Sequence, residues 1–165
     1  AGAALGAAGW SQLLRAIGGN AARPPMVSAI RRLRSSGFVV AALTNNFTPA
    51  RDDAPAAYEA STADLRPLFD HFVESRAIGL RKPDPEFYRR ALRTIGCRAE
   101  EAVFLDDIGK NLKSARELGL TTIHVKNSSS TSYLEALKQL QEVVGVPLLD
   151  ASDAPCERAG ARAKL

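Results

Sequence analysis

Val103-Phe104-Leu105-Asp106-Asp107-Ile108-Gly109-Lys110-Asn111-Leu112 passes from an apolar run, through two adjacent carboxylates and a glycine, into a helical pattern. The run is too short and too apolar for a surface helix and reads as a buried strand. Beyond Gly109, Leu112, Ala115 and Leu118 recur at helical spacing, Gly119 stops the helix, and Thr121-Thr122-Ile123-His124-Val125 reads as the next strand. Strand, helix and strand in that order are one unit of a parallel sheet, and the carboxylates fall at the strand's carboxyl end, where such sheets place their ligands.

The same alternation continues upstream. Asp84-Pro85 opens a helix with an N-cap and a first-turn proline, Phe87, Ala91, Leu92 and Ile95 share a face, and Gly96 ends it. Further back, Pro25 opens a helix carrying Met26, Ala29, Ile30 and Leu33 inward, with Gly37 at its exit. The run Phe38-Val39-Val40-Ala41-Ala42-Leu43 then has no polar alternation and reads as a strand covered on both faces, ending in Thr44-Asn45-Asn46. A partly helical stretch over residues 52–67 leads to Phe69 and a short strand over residues 71–75. Downstream, Ser132 and Glu135 fit a capping box for a last helix with Leu134, Leu137 and Leu140 inward and Gly145 at its end. The fold class expected is α/β, a Rossmann-like parallel sheet with flanking helices.

The bulk properties narrow the function. A chain of 165 residues with 45% hydrophobic content supplies one core. No apolar run approaches the roughly 18 residues that a membrane helix needs. Cys97 and Cys156 are too few and too far apart for a zinc cluster or a disulfide framework, which favours a reducing compartment. Six of the 22 basic residues and none of the 18 acidic ones precede Asp52. The basic segment has no interleaved aromatics, so Arg31, Arg32 and Arg34 read as the solvated face of a helix and no nucleic-acid partner is expected.

Three elements carry chemistry: Thr44-Asn45 after one strand, Lys82 in Leu80-Arg81-Lys82-Pro83, and Asp106-Asp107 after another. Each alone is common turn punctuation. Together they supply a hydroxyl and amides for phosphoryl oxygens, a point-charge lysine, and hard carboxylate oxygens for an octahedral cation.

In this order and placement the three elements resemble the second, third and fourth motifs of the haloacid dehalogenase-like superfamily. Ala42-Leu43-Thr44-Asn45-Asn46, Gly79-Leu80-Arg81-Lys82-Pro83-Asp84-Pro85-Glu86-Phe87-Tyr88 and the stretch from Val103 to Leu112 look most like the N-terminal phosphatase domain of soluble epoxide hydrolases and the related domain of an acyl-CoA dehydrogenase relative. The resemblance covers residues 23–150, including Gly145-Val146-Pro147-Leu148-Leu149, where the domain's last strand would end. It implies a Mg²⁺-dependent phosphate-monoester phosphatase: Thr44 and Asn45 bind phosphate, Lys82 steadies nucleophile and phosphoryl group, and Asp107 coordinates Mg²⁺ with Asp106 beside it. The implied partner is a phosphate-bearing small molecule, lipid-like ones included.

The family's first motif needs two aspartates upstream of Thr44, whereas the first acidic residue here is Asp52. The fold expected is therefore incomplete, lacking the first-motif strand and most of the cap. Its sheet should have a gap between the strands of Leu43 and Leu105, and the chain as given should be inactive, with weak Mg²⁺ binding. A fragment, an alternative product and a noncatalytic binding or scaffold module all fit this pattern. Residues 1–22, with Trp10, read as a cap remnant or linker, residues 23–150 as the core, and residues 151–165 as a flexible tail.

His71 and His124 lie outside the matched motifs and read as partly buried structural histidines. Cys97 reads as a packed residue rather than a reactive thiol. The terminal Ala163-Lys164-Leu165 resembles the tripeptide address read by the peroxisomal import receptor, so the location expected is peroxisomal or cytoplasmic.

Overall fold

The computed structural model describes residues 25–46, 65–126 and 131–150. Their element order is α1 (Pro25–Ser35), β1 (Ala41–Thr44), a 3₁₀ turn (Arg66–Leu68), β2 (His71–Glu74), α2 (Ser75–Ile78), α3 (Pro85–Ile95), a 3₁₀ turn (Ala99–Glu101), β3 (Val103–Asp106), α4 (Gly109–Glu117), β4 (Thr121–His124) and α5 (Tyr133–Val144). The expected cap remnant with Trp10, most of the stretch 52–67, Cys156 and the tail with its terminal tripeptide lie outside the described residues. No helix among the described residues is long and apolar enough to cross a membrane.

The strands form two parallel ladders. β1 pairs with β2, with Ala41 opposite His71 and Thr44 opposite Glu74, and β3 pairs with β4, with Val103 opposite Thr121 and Asp106 opposite His124. Among the described residues no ladder joins β1 to β3, as the expected gap requires. Every residue of β1 and β3 is buried, as befits parallel strands covered on both faces.

The period of two along β3 separates two cores. Val103 and Leu105 pack with α1 and α5 around Ile30, Leu33, Leu137 and Leu140. Phe104 packs on the other side with Ala41 and Leu43 of β1, Phe87, Tyr88 and Ala91 of α3, and Leu112 and Ala115 of α4. Met26, Ala29, Ile30 and Leu33 all point inward, so the helical spacing read from the sequence is the buried stripe of α1. Arg31 and Arg34 are exposed; Arg32 pairs with Asp150 and Arg34 with Asp70. Asp84 caps α3 by accepting the Glu86 N–H at 2.9 Å, and Gly96 ends it with φ 78°, a conformation that favours glycine.

Four expectations need correction. The first strand starts at Ala41, not Phe38, because the Val40 N–H donates to the Asp70 carboxylate at 2.9 Å instead of to a neighbouring strand. Ser132 forms no capping box: it already has helical dihedrals, φ −61° and ψ −23°, and makes no side-chain cap bond. Residues 145–149 are not a strand; they turn back so that Leu148 is buried and its N–H donates to Gln141 Oε1 at 2.9 Å. His124 is exposed rather than part-buried, because it stands at the carboxyl end of β4, which among the described residues pairs with β3 alone, while His71 is half-buried as expected. Cys97 is partly buried against the α3–α4 core, and burial, then the nearby Glu101 charge, pushes its thiol pKa up.

Candidate active site

The carboxyl ends of β1 and β3 meet at Lys82. Its Nζ donates to the Leu43 carbonyl at 2.9 Å and to Asp106 Oδ2 at 2.7 Å, with the Phe104 ring centroid 5.4 Å away. The two side chains are 3% and 1% exposed, so this is a fully desolvated ion pair that holds together two strands sharing no ladder.

The backbone on either side of the ammonium is fixed by one side chain. Asn45 accepts the Lys82 N–H at Oδ1 and donates from Nδ2 to the Lys82 carbonyl, both at 2.8 Å. A carboxamide offers a donor and an acceptor side by side, which is what one residue's N–H and C=O require, so the Asn type is needed here. The peptide bond between Lys82 and Pro83 is cis.

Asp106 is equally committed. Its Oδ1 accepts the Ile108 N–H at 2.9 Å and Asn111 Nδ2 at 3.0 Å, tying β3 to the first turn of α4. The Tyr88 hydroxyl donates to the Asn111 carbonyl at 2.9 Å, and burial, then the Asp106 charge, pushes its pKa well above the ordinary phenol value. Asp107 next to it is part-exposed, and its carbonyl lies 3.2 Å from His124 Nε2.

Thr44 is fully buried at the end of β1, and among the described residues its Oγ1 has no hydrogen-bond partner. An unmade bond on a buried hydroxyl costs about 1–3 kcal/mol, and a phosphoryl oxygen would satisfy it. Among the described residues no three His, Cys, Asp or Glu side chains converge. A magnesium ion keeps several waters and needs only one or two protein carboxylates, so part-exposed Asp107 could hold one without an all-protein cage, whereas both Asp106 oxygens are already engaged.

The structure thus joins Asn45, Lys82 and Asp106 by direct hydrogen bonds, with Thr44 and Asp107 next to them in the chain. Sequence reading missed the Leu43 carbonyl, which has no side-chain signal. It also missed Asn111, whose signal was a polar residue beside Leu112 on a helix face that turns inward. A second polar group went unread: Asn46, Glu74, Ser75 and Arg76, next to a cavity of about 280 Å³.

Comparison with known proteins adds four likenesses. Residues 6–119 match the model of the haloacid dehalogenase-like hydrolase family. The chain is 39% identical over 132 residues to bifunctional epoxide hydrolase 2 of Sus scrofa, covering 79% of this chain and 22% of that protein. It is 33% identical over 120 residues to a sesquiterpene phosphatase of Aspergillus oryzae, covering 73% and 56%. It therefore spans less than a quarter of the length of the first of these relatives. In fold it is similar to an uncharacterised protein from Corynebacterium glutamicum, with a TM-score of 0.64 at 18% identity, covering 88% of this chain and 96% of that one.

Proposed function

This chain belongs to the haloacid dehalogenase-like hydrolases, and on that footing we propose that it carries the phosphate- and metal-binding half of a Mg²⁺-dependent phosphate-monoester phosphatase site. The observation that carries this reading is the bridge of Lys82 from the Leu43 carbonyl to Asp106 beside the unpartnered Thr44 hydroxyl. Thr44 Oγ1 donates to a phosphoryl oxygen, and Asn45 holds Lys82 in place. Lys82 offsets the charge that collects on phosphate and nucleophile. Asp107, part-exposed at the end of β3, is the carboxylate that faces a magnesium ion, while Asp106 is committed to Lys82 and to α4. When bound, the ion neutralises phosphoryl oxygens.

A nucleophilic carboxylate is not found in residues 1–51, which contain no Asp or Glu, and none of the gathered side chains can replace it: Asp106 is ion-paired and Asp107 follows it directly. The 165-residue chain by itself therefore binds phosphate and Mg²⁺ weakly and does not turn over.

The test is phosphate release from p-nitrophenyl phosphate with and without Mg²⁺, paired with ³¹P line-broadening of inorganic phosphate. Mg²⁺-dependent binding without turnover, lost in Asp107→Ala, is expected. Mg²⁺-dependent turnover lost in Asp107→Ala would show a nucleophile within the chain and overturn the inactivity. Absence of phosphate binding at any Mg²⁺ concentration would favour a noncatalytic scaffold module.

A further inference from the structure

The cavity of about 280 Å³ shares Asn45 with the Lys82 clamp and is lined further by Asn46, Ser75, Arg76, Leu80 and Arg81. Among the described residues its lining brings two guanidinium side chains and no carboxylate. Arg76 is held in place: its Nε lies 3.3 Å from Glu74 Oε1, and its side chain is 22% exposed. Glu74 is buried and is fixed from two further directions, by Arg66 at 2.6 Å and by Asn46 Nδ2 at 2.9 Å. Asn46 Oδ1 in turn accepts the Arg76 backbone N–H at 3.1 Å and the Ser75 hydroxyl at 3.0 Å. Backbone and head group of Arg76 are thus both set before a ligand arrives, which lowers the ordering cost of a guanidinium contact.

Resting on the phosphatase reading above, we propose that this cavity receives a second anionic group of the substrate, so that the substrate class is small organic phosphates with a carboxylate or second phosphate at the far end. The phosphoryl group sits at Thr44 and Lys82, and the far anion meets Arg76 and Arg81. Asn45, common to both places, sets the spacing. The planar fork of a guanidinium matches carboxylate and phosphate oxygens in pairs. A hydrocarbon tail in the same place would remove water from the two guanidinium groups and return no hydrogen bond.

The experiment titrates the full 165-residue chain, labelled with ¹⁵N and held in Mg²⁺, with inorganic phosphate, 2-hydroxyethyl phosphate, phosphoglycolate and hexyl phosphate. Phosphoglycolate should bind about tenfold more tightly than 2-hydroxyethyl phosphate, the worth of one charge-assisted contact, and should shift the amides of Arg76 and Arg81. Arg76→Gln and Arg81→Gln should each remove most of that gain and leave inorganic phosphate binding unchanged. Equal affinity for phosphoglycolate and 2-hydroxyethyl phosphate, or preference for hexyl phosphate, would overturn the proposal while leaving the phosphate site intact. Failure of inorganic phosphate itself to bind would overturn the phosphatase reading, and this proposal with it.

Discussion

Lys82 Nζ lies 2.7 Å from Asp106 Oδ2, and neither side chain is more than 3% exposed. A pair buried this deeply contributes little net stability when intact, yet removing one partner leaves an uncompensated charge. Asp106→Ala should destabilise the fold by about 3–5 kcal/mol, since Lys82 then keeps only the Leu43 carbonyl. The double variant Lys82→Met with Asp106→Leu should recover much of that loss. Urea denaturation of the three variants checks both statements; equal loss in single and double variants would contradict them.

Asp107 sits one residue further along and is part-exposed. Asp107→Ala should change stability by less than about 1 kcal/mol, in line with substitutions away from a packed core. On the proposed metal reading, Mg²⁺ should raise the melting temperature of the parent chain and leave that of Asp107→Ala unchanged, which thermal melts with and without Mg²⁺ check.

Asn45 supplies both hydrogen bonds to the Lys82 backbone. Asn45→Ala should cost about 1–3 kcal/mol from two lost bonds and the groups left behind. Asn45→Asp should not restore the stability, because a carboxylate cannot donate to the Lys82 carbonyl. Denaturation midpoints of the two variants decide this.

Burial raises the Cys97 thiol pKa above its ordinary 9.0, with Glu101 adding to the shift. A raised thiol pKa means that the folded chain keeps the proton longer than the unfolded chain. The associated stability is therefore fully present below the unfolded pKa and is lost as pH rises through the folded value. In a Cys156→Ser background, alkylation of Cys97 by iodoacetamide should reach half its maximal rate at a higher pH in buffer than in denaturant. Coincident pH profiles would contradict the burial seen here.

Local rules made much of this fold legible. The 3.6-residue spacing of Met26, Ile30 and Leu33, the Asp84-Pro85 start, and the strand preceding Asp106 all follow from neighbours in sequence, and the structure has them. The departures are long-range. Asp70 takes the Val40 N–H across 30 residues and shortens β1, which no periodicity reveals. Ser132 matched a capping pattern, but the chain enters α5 already helical, so the side-chain oxygen is not used as a cap. At the site, Thr44, Asn45, Lys82, Asp106 and Asp107 were legible as residue types after strands. The pairing of Lys82 with a backbone carbonyl and the Asn46–Glu74–Arg76 cluster were not, because each depends on where distant strand ends come to rest.

The Lys82 bridge also sets an order of events for the folding chain. Its acceptors lie 39 residues before it and 24 after it, so the complete bridge cannot form until both ladders exist and have docked. Closing loops of that size is entropically opposed until the contacts it permits are in place. Truncations at Lys82 should therefore accelerate unfolding far more than they slow folding, and the ammonium acts as a latch closed last on a core that has already assembled.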